Sequence, residues 1–287
     1  MNTRAIICTC IKDENDYLAE WIEYHLNLGF EHIYLFEDYG SKSHQDIVDR
    51  YSNVTLLPIE VVEGEPLTVE RRQRKMMYYS IREYKDYDWI AFIDADEFVE
   101  FEDGYNLERL LSEHSEHTGI YLSWRLYGAN GRIQKPKGSV IESYPLPDDE
   151  TNYGYVFGAA QWSVKSFANL HTDLKIKNIH IIEGGVNMNG DHHPEYKVFK
   201  KAWIRHYYTK SWEEWLHRIM KRGDLCNANR KLGNFFEANP DMKHMKYELI
   251  SQVADQLPVN CHILDTAKML IAGGNVKIIE KLNNGNR

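Results

Sequence analysis

The sequence predicts an α/β protein: a mostly parallel sheet flanked by helices, followed by a helical C-terminal extension. Three observations carry this expectation. Between residues 5 and 93, short apolar runs alternate with segments of helical period. Cap and stop residues fall where the alternation needs them, with Thr68 ahead of one helical segment and Gly29 behind another. The 287 residues, 43% hydrophobic and 27% charged, suffice to bury a core without staples and are too apolar for a disordered chain.

Residues 5–11 read as the first buried strand. Asp13 or Asn15 can cap a helix in which Leu18, Trp21, Ile22 and Leu26 recur at helical spacing, and Gly29 ends it. Residues 32–36 form a second strand, and Ser43 can cap a helix over 44–51. Residues 54–59 are a third strand, Thr68 caps a long helix reaching Tyr84, and 89–93 are a fourth strand. Strands joined through helices imply parallel neighbours. After Asp96 the alternation weakens. Residues 107–114 read as a short helix and 120–126 as a strand. Residues 128–160 hold Gly, Pro and polar clusters and read as long loops, more often functional than accidental. Strands are expected at 175–182 and 202–208. Ser211 can cap an amphipathic helix through Arg222, and further helices are expected near 241–256 and 261–272. With no repeat and no clear linker, the expected organisation is one domain over 1–225 and a helical extension over 226–287.

A net charge of −9 and a pI of about 5.8 argue against a general nucleic-acid binder. The charge is uneven. Residues 86–103 hold eight acids and no Lys or Arg, whereas 197–231 hold ten Lys or Arg against three acids. Such a pair suits a cation together with a phosphorylated ligand; two solvated faces are the plainer account. Cys8 and Cys10 lack the spacing of a redox or zinc knuckle, and Cys226 and Cys261 are isolated, so free thiols in a reducing compartment are expected. The N-terminal apolar stretch is too short for a signal peptide, and no apolar run approaches the length of a membrane span. A cytoplasmic location is therefore expected, with the basic segment available for peripheral contact with anionic lipid.

The strongest local signal is the apolar run Trp89 to Ile93 leading into Asp94-Ala95-Asp96. If the strand continued, alternation would put both Asp side chains on one side and Glu97 on the other. Ligands of parallel α/β sheets bind beyond the carboxyl ends of the strands. Two carboxylates there can hold a hard divalent cation, Mn²⁺ or Mg²⁺, whose shell phosphate oxygens would complete. An ordinary strand-to-turn junction is the plainer account.

Several segments together resemble glycosyltransferases of the GT-A fold, family 2 type, nearest the galactosyltransferase-like group of family 92. Lys12-Asp13-Glu14 with Tyr17-Leu18-Ala19-Glu20-Trp21-Ile22-Glu23-Tyr24-His25 is similar to that group's opening. Ile33 to Asp38 with Gly40-Ser41 resembles its second strand and turn, although the turn reads Glu-Asp-Tyr-Gly-Ser. Asp94 to Phe98 matches its acidic segment, and Trp124 to Gly128 a later aromatic stretch. Arg205-His206-Tyr207, Lys210-Ser211, Glu213-Glu214 and Arg222-Gly223 resemble its late motif. The resemblance spans about residues 4–225, and residues 143–200 match poorly.

The resemblance implies a nucleotide-sugar half to about residue 126 and an acceptor and metal-histidine half from 127 to 225. It implies a UDP-sugar donor, a divalent cation, and transfer with inversion to a glycan or lipid-linked oligosaccharide, galactose being favoured. Lys12, Asp13 and Glu14 would line the uridine and Asp38 would bond the base or ribose, though Asp13 can equally be a cap and Asp38 a turn former. Gln73, Arg74 and Lys210 would approach the diphosphate. Asp94, Asp96 and His206 would hold the cation. The general base stays open among Glu142, which we favour, Glu97 and Asp191. Trp124 would stack on the acceptor sugar or serve as a core aromatic. Two other functions compete: a nucleotide-sugar or glycan-binding module without turnover, and a phosphatase or phosphotransferase using the acidic strand end. The latter motif usually opens a chain, whereas here it follows a fourth strand.

Overall fold

The structure is a computed structural model that describes residues 3–62, 68–147, 164–189, 199–221 and 232–253. The first strand, β1 (Ala5–Ile11), enters helix α1 (Leu18–Asn27), then β2 (His32–Glu37), the one-turn helix α2 (Gln45–Val48), β3 (Val54–Pro58), α3 (Val69–Glu83) and β4 (Trp89–Phe92). These strands pair in parallel in the order β3-β2-β1-β4. The central pair β1 and β4 is buried on both faces, as in a sheet covered from both sides. Ile6, Ile7, Ile33, Leu35, Ile90 and Ala91 are all fully buried. Full burial of an aliphatic side chain stabilises by about 1.5–3 kcal/mol.

Beyond β4 the sheet changes character. Strands β5 (Glu97–Phe101), β6 (Gly119–Leu126), β7 (Val164–Asn169), β8 (Val186–Asn187) and β9 (Ala202–His206) extend it in the order β4-β7-β6-β9-β5, with β8 beside β6. β7 runs antiparallel to β4 and β6, and β5 antiparallel to β9. The α/β class is as expected, but the sheet is mixed. Two elements account for this: β7, which the sequence pattern did not reveal, and β5, ahead of which the chain turns at Asp94–Asp96 instead of continuing β4. The strand expected at 175–182 is reduced to an isolated bridge between Ile176 and Ile182. Tyr121 packs its ring so closely on Gly185 that a Cβ there would stand 2.6 Å from it.

The caps divide between expectation and correction. Thr68 accepts a hydrogen bond from the Arg71 amide, as expected, and Asn106 caps helix α4 (Leu107–Glu113). Neither Asp13 nor Asn15 caps α1, whose first flanking residue is Tyr17. Ser43 accepts from the Gln45 amide, but the helix after it is one turn rather than two. Gly29 ends α1 with φ +104°, a conformation open to glycine at no steric cost.

The chain divides into two compact units, Met1–Arg125 with Tyr153–His206, and Leu126–Asn152 with Tyr207–Arg287. In the second, a one-turn helix α5 (Val140–Ser143) lies within the expected loop region. Ser211 caps the helix Trp212–Lys221 reciprocally: its hydroxyl accepts from the Glu214 amide and donates to the Glu214 carboxylate at 2.6 Å. Asn239 is buried after the helix Leu232–Ala238. Its amide donates to Thr209 Oγ1 and the Phe235 carbonyl, and its oxygen accepts from the Ala129 amide. A helix follows at Lys246–Val253, where one was expected. The expected boundary at 225, the helix near 261–272, Cys226 and Cys261 lie outside the described residues. Of the other two thiols, Cys8 is buried and Cys10 partly buried, and both are free. Among the described residues no helix is long and apolar enough to cross a membrane.

Candidate functional site

The site forms where the carboxyl end of β4 meets the antiparallel pair β5–β9. That pairing sets Glu97 directly opposite His206, so the two side chains share a face. Asp96 sits in the turn just ahead of β5. One ligand atom each from Asp96, Glu97 and His206 can be chosen so that all lie within 4.8 Å of one another, and all three residues are buried. His206 Nε2 stands 3.8 Å from Asp96 Oδ1 and 4.0 Å from Glu97 Oε1. Two ligand atoms each about 2.1 Å from one octahedral ion are about 3 Å apart when adjacent and about 4.2 Å when opposite.

Two expectations about the acidic motif are corrected here. β4 ends at Phe92, so strand alternation does not carry through Asp94 and Asp96. Asp94 turns instead to Lys165 of β7, whose Nζ donates to Asp94 Oδ2 at 2.6 Å, and it also accepts from Gln73 Nε2 at 3.4 Å. Glu97 does not diverge from the two Asp. Its Oε2 accepts from the Asp94 amide at 2.9 Å and lies 3.6 Å from Lys165 Nζ.

Lys165 is only 3% exposed. Burial alone would lower its pKa, but Asp94, Glu97 and Asp96 outweigh that and raise it. Burial pushes the Glu97 carboxyl well above the usual carboxylate range; Asp94 and Asp96 add to this and Lys165 opposes it. Fully ionised, three carboxylates and one ammonium leave a formal charge of −2 with the imidazoles neutral. Glu97 Oε1 is buried with no hydrogen-bond partner among the described residues. Two carboxylates, an imidazole and this surplus charge fit the divalent cation that the resemblance implies. Trp124 packs its ring 4.4 Å from His206 and 5.4 Å from His180. Burial and Lys165 hold the His180 pKa down to about 4.

Helix α1 positions β5, and with it Glu97. Trp21 Nε1 donates to the Glu97 carbonyl at 2.7 Å, and the Tyr24 hydroxyl to the Val99 carbonyl at 2.8 Å. His25 Nε2 accepts from the Val99 amide at 3.3 Å. The Trp21 to His25 segment quoted for the resemblance therefore acts on the backbone of β5. Its helical spacing showed a buried face but not these long-range bonds.

The turns after β1 and β2 are tied together. Asp13 adopts φ 53°, which Asp tolerates; its Oδ1 accepts from the Lys42 amide, and its own amide donates to Ser41 Oγ. The Glu14 amide donates to Nε2 of the buried His44, whose Nδ1 stands 2.7 Å from Glu37 Oε1. Lys12 is partly buried in the same turn. Asp38 is held by Arg72, with Nε 2.7 Å from Oδ1 and Nη2 donating to Oδ2 at 2.9 Å. Arg72 is thus the basic side chain paired with Asp38; Arg74 donates instead to the Ile176 carbonyl. Lys165, His180 and His44 carried no signal in the sequence, whereas Arg72 belongs to the basic cluster Arg71 to Arg74 expected near the diphosphate and is found on Asp38 instead.

Glu142, exposed on α5, and Lys210, at φ 53°, belong to the second unit. Asp191 and Arg222 lie outside the described residues.

The model of glycosyltransferase family 92 matches residues 4–259, and the chain belongs to this family. A family 92 protein of Oryza sativa subsp. japonica is 24% identical over 148 residues, 48% of this chain and 24% of its own length. One of Ricinus communis is 20% identical over 268 residues, 82% of this chain and 48% of its own. The chain thus spans half or less of these relatives. Among solved structures, S. aureus TarS 1-349 in complex with UDP-GlcNAc is similar at a TM-score of 0.39 and 10% identity, over 99% of this chain and 92% of that one. Glucosyl-3-phosphoglycerate synthase from Mycobacterium tuberculosis, in complex with Mn²⁺, UDP and phosphoglyceric acid, is similar at 0.32 and 12%, over 59% and 56%.

Proposed function

We propose that this chain transfers a sugar, galactose by preference, from a UDP-sugar to a hydroxyl of a glycan or lipid-linked oligosaccharide, inverting the anomeric centre. The observation that carries the reading is the buried Asp96–Glu97–His206 cluster at the end of β4 in a family 92 chain. Asp96, Glu97 and His206 would hold Mn²⁺ or Mg²⁺, which when bound supplies Lewis-acid stabilisation of the departing diphosphate. The turn of Lys12, Asp13 and Glu14 and the Asp38–Arg72 pair line the uridine. The resemblance would bring Gln73, Arg74 and Lys210 to the diphosphate, for which Arg74 must leave the Ile176 carbonyl to which it donates. Glu142 takes the proton of the acceptor hydroxyl, with Asp191 as the alternative; such a base contributes about 10²–10⁴-fold. Glu97, buried among Lys165, Asp96 and His206, leaves the list of bases and replaces Asp94 among the ligands. The basic segment 197–231 favours an acceptor at an anionic lipid surface, on the cytoplasmic side.

The test is a panel of radiolabelled nucleotide sugars, with and without EDTA, read for release and transfer of the sugar. Transfer from a UDP-sugar that EDTA abolishes is expected. Donor binding without turnover would indicate a binding module, and turnover indifferent to EDTA would remove the cation.

A further inference from the structure

Building on the cation reading above, we infer that Lys165 is a positioning residue that keeps Asp94 out of the ligand set and turns Glu97 towards His206. Both carboxylate oxygens of Asp94 are engaged, Oδ2 by Lys165 Nζ at 2.6 Å and Oδ1 by Gln73 Nε2 at 3.4 Å. The same pair orients Glu97. Its Oε2 is drawn to the Asp94 amide and faces Lys165, which leaves Oε1 on the His206 side. The position of Lys165 is not adjustable. It lies within β7, opposite Leu122 of β6 and one residue before Ser166, which pairs with Phe92 of β4. The strand register therefore delivers its ammonium to the end of β4. The lysine also trims the surplus charge of the site from −3 to −2, matching a divalent ion.

This role differs from that of a lysine that merely supports the fold, because its removal should tighten cation binding by more than the lost charge alone explains. Mn²⁺ affinity, measured without donor by titration calorimetry and electron paramagnetic resonance, reads the difference. Lys165→Met frees the Asp94 carboxylate and removes a positive charge that costs a nearby divalent ion about tenfold in affinity even with water-like screening. The lost charge alone accounts for about tenfold, so the freed Asp94 should tighten Mn²⁺ binding well beyond tenfold in that variant. A gain of about tenfold or less, or weaker binding, by a folded Lys165→Met protein overturns the inference. Loss of the ammonium leaves the part-exposed Asp94 and the buried Glu97 uncompensated and can prevent folding, so the double variant Lys165→Met/Asp94→Asn, which restores the formal charge, is the second test. It should bind Mn²⁺ within the about hundredfold that loss of an outer partner costs. A larger loss makes Asp94 a ligand and overturns the assignment. If the unsubstituted protein binds no Mn²⁺, the cation reading itself fails, an outcome distinct from the other two.

Discussion

Acidification should loosen β5 from α1 through His25. The imidazole is fully buried, stacked 5.7 Å from Phe98 and tilted by 54° at 4.5 Å from Trp21. A backbone amide can only donate, so Nε2 must accept from Val99, and Nδ1 carries the proton that it donates to the Trp21 carbonyl at 2.8 Å. A second proton would remove the acceptor and place a charge in the core. Burial accordingly lowers the pKa from 6.5 to about 3. Because the folded value lies below the unfolded one, the stabilisation is complete above pH 6.5 and is lost as pH falls towards 3. At pH 5 the gap is about 1.5 pH units at about 1.4 kcal/mol each, a loss of about 2 kcal/mol from a total of about 5–15. Urea unfolding at pH 7 and pH 5 measures it, with His25→Leu as the non-titrating reference. The unsubstituted protein should lose about 2 kcal/mol more between the two pH values than the variant does. Equal losses would refute the reasoning.

Three further outcomes follow from the site and its supports. Asp96→Ala should abolish transfer with circular dichroism unchanged, and full turnover would remove Asp96 from the cation. Glu142→Gln should lower turnover more than donor affinity; intact turnover in steady-state kinetics would pass the base to Asp191. Asn239→Ala leaves the Ala129 amide and the Phe235 carbonyl without their side-chain partner and should destabilise by about 2–4 kcal/mol in denaturant unfolding.

Much of the first half of the fold was legible because its signals are local. Apolar runs such as Ala5–Ile11 and the 3.6-residue period of Leu18, Trp21 and Ile22 follow from burying one strand or one helix face, whatever its partner. β7 was not legible for the opposite reason. Its sequence Val-Lys-Ser-Phe-Ala-Asn is half polar yet entirely buried. Lys165 is neutralised by Asp94, 71 residues away, and Asn169 donates to the carbonyls of Ser115 and His117. Buried polar groups are tolerated only when distant chain supplies their partners, and no local pattern reports that.

The candidate site divides in the same way. Asp94, Asp96, Glu97 and His206 could all be named from the chain, since an acidic strand end and a histidine in an aromatic strand are visible in one dimension. Which of them meet could not. The turn at Asp94–Asp96 resets strand alternation, and the β5–β9 register sets Glu97 against His206 while Lys165 claims Asp94. The amino-acid order determined the element types and the stock of chemical groups, because both depend on neighbours along the chain. Only the folded backbone decided which groups share a pocket, because charge and coordination act through distances that the pairing of remote strands alone sets.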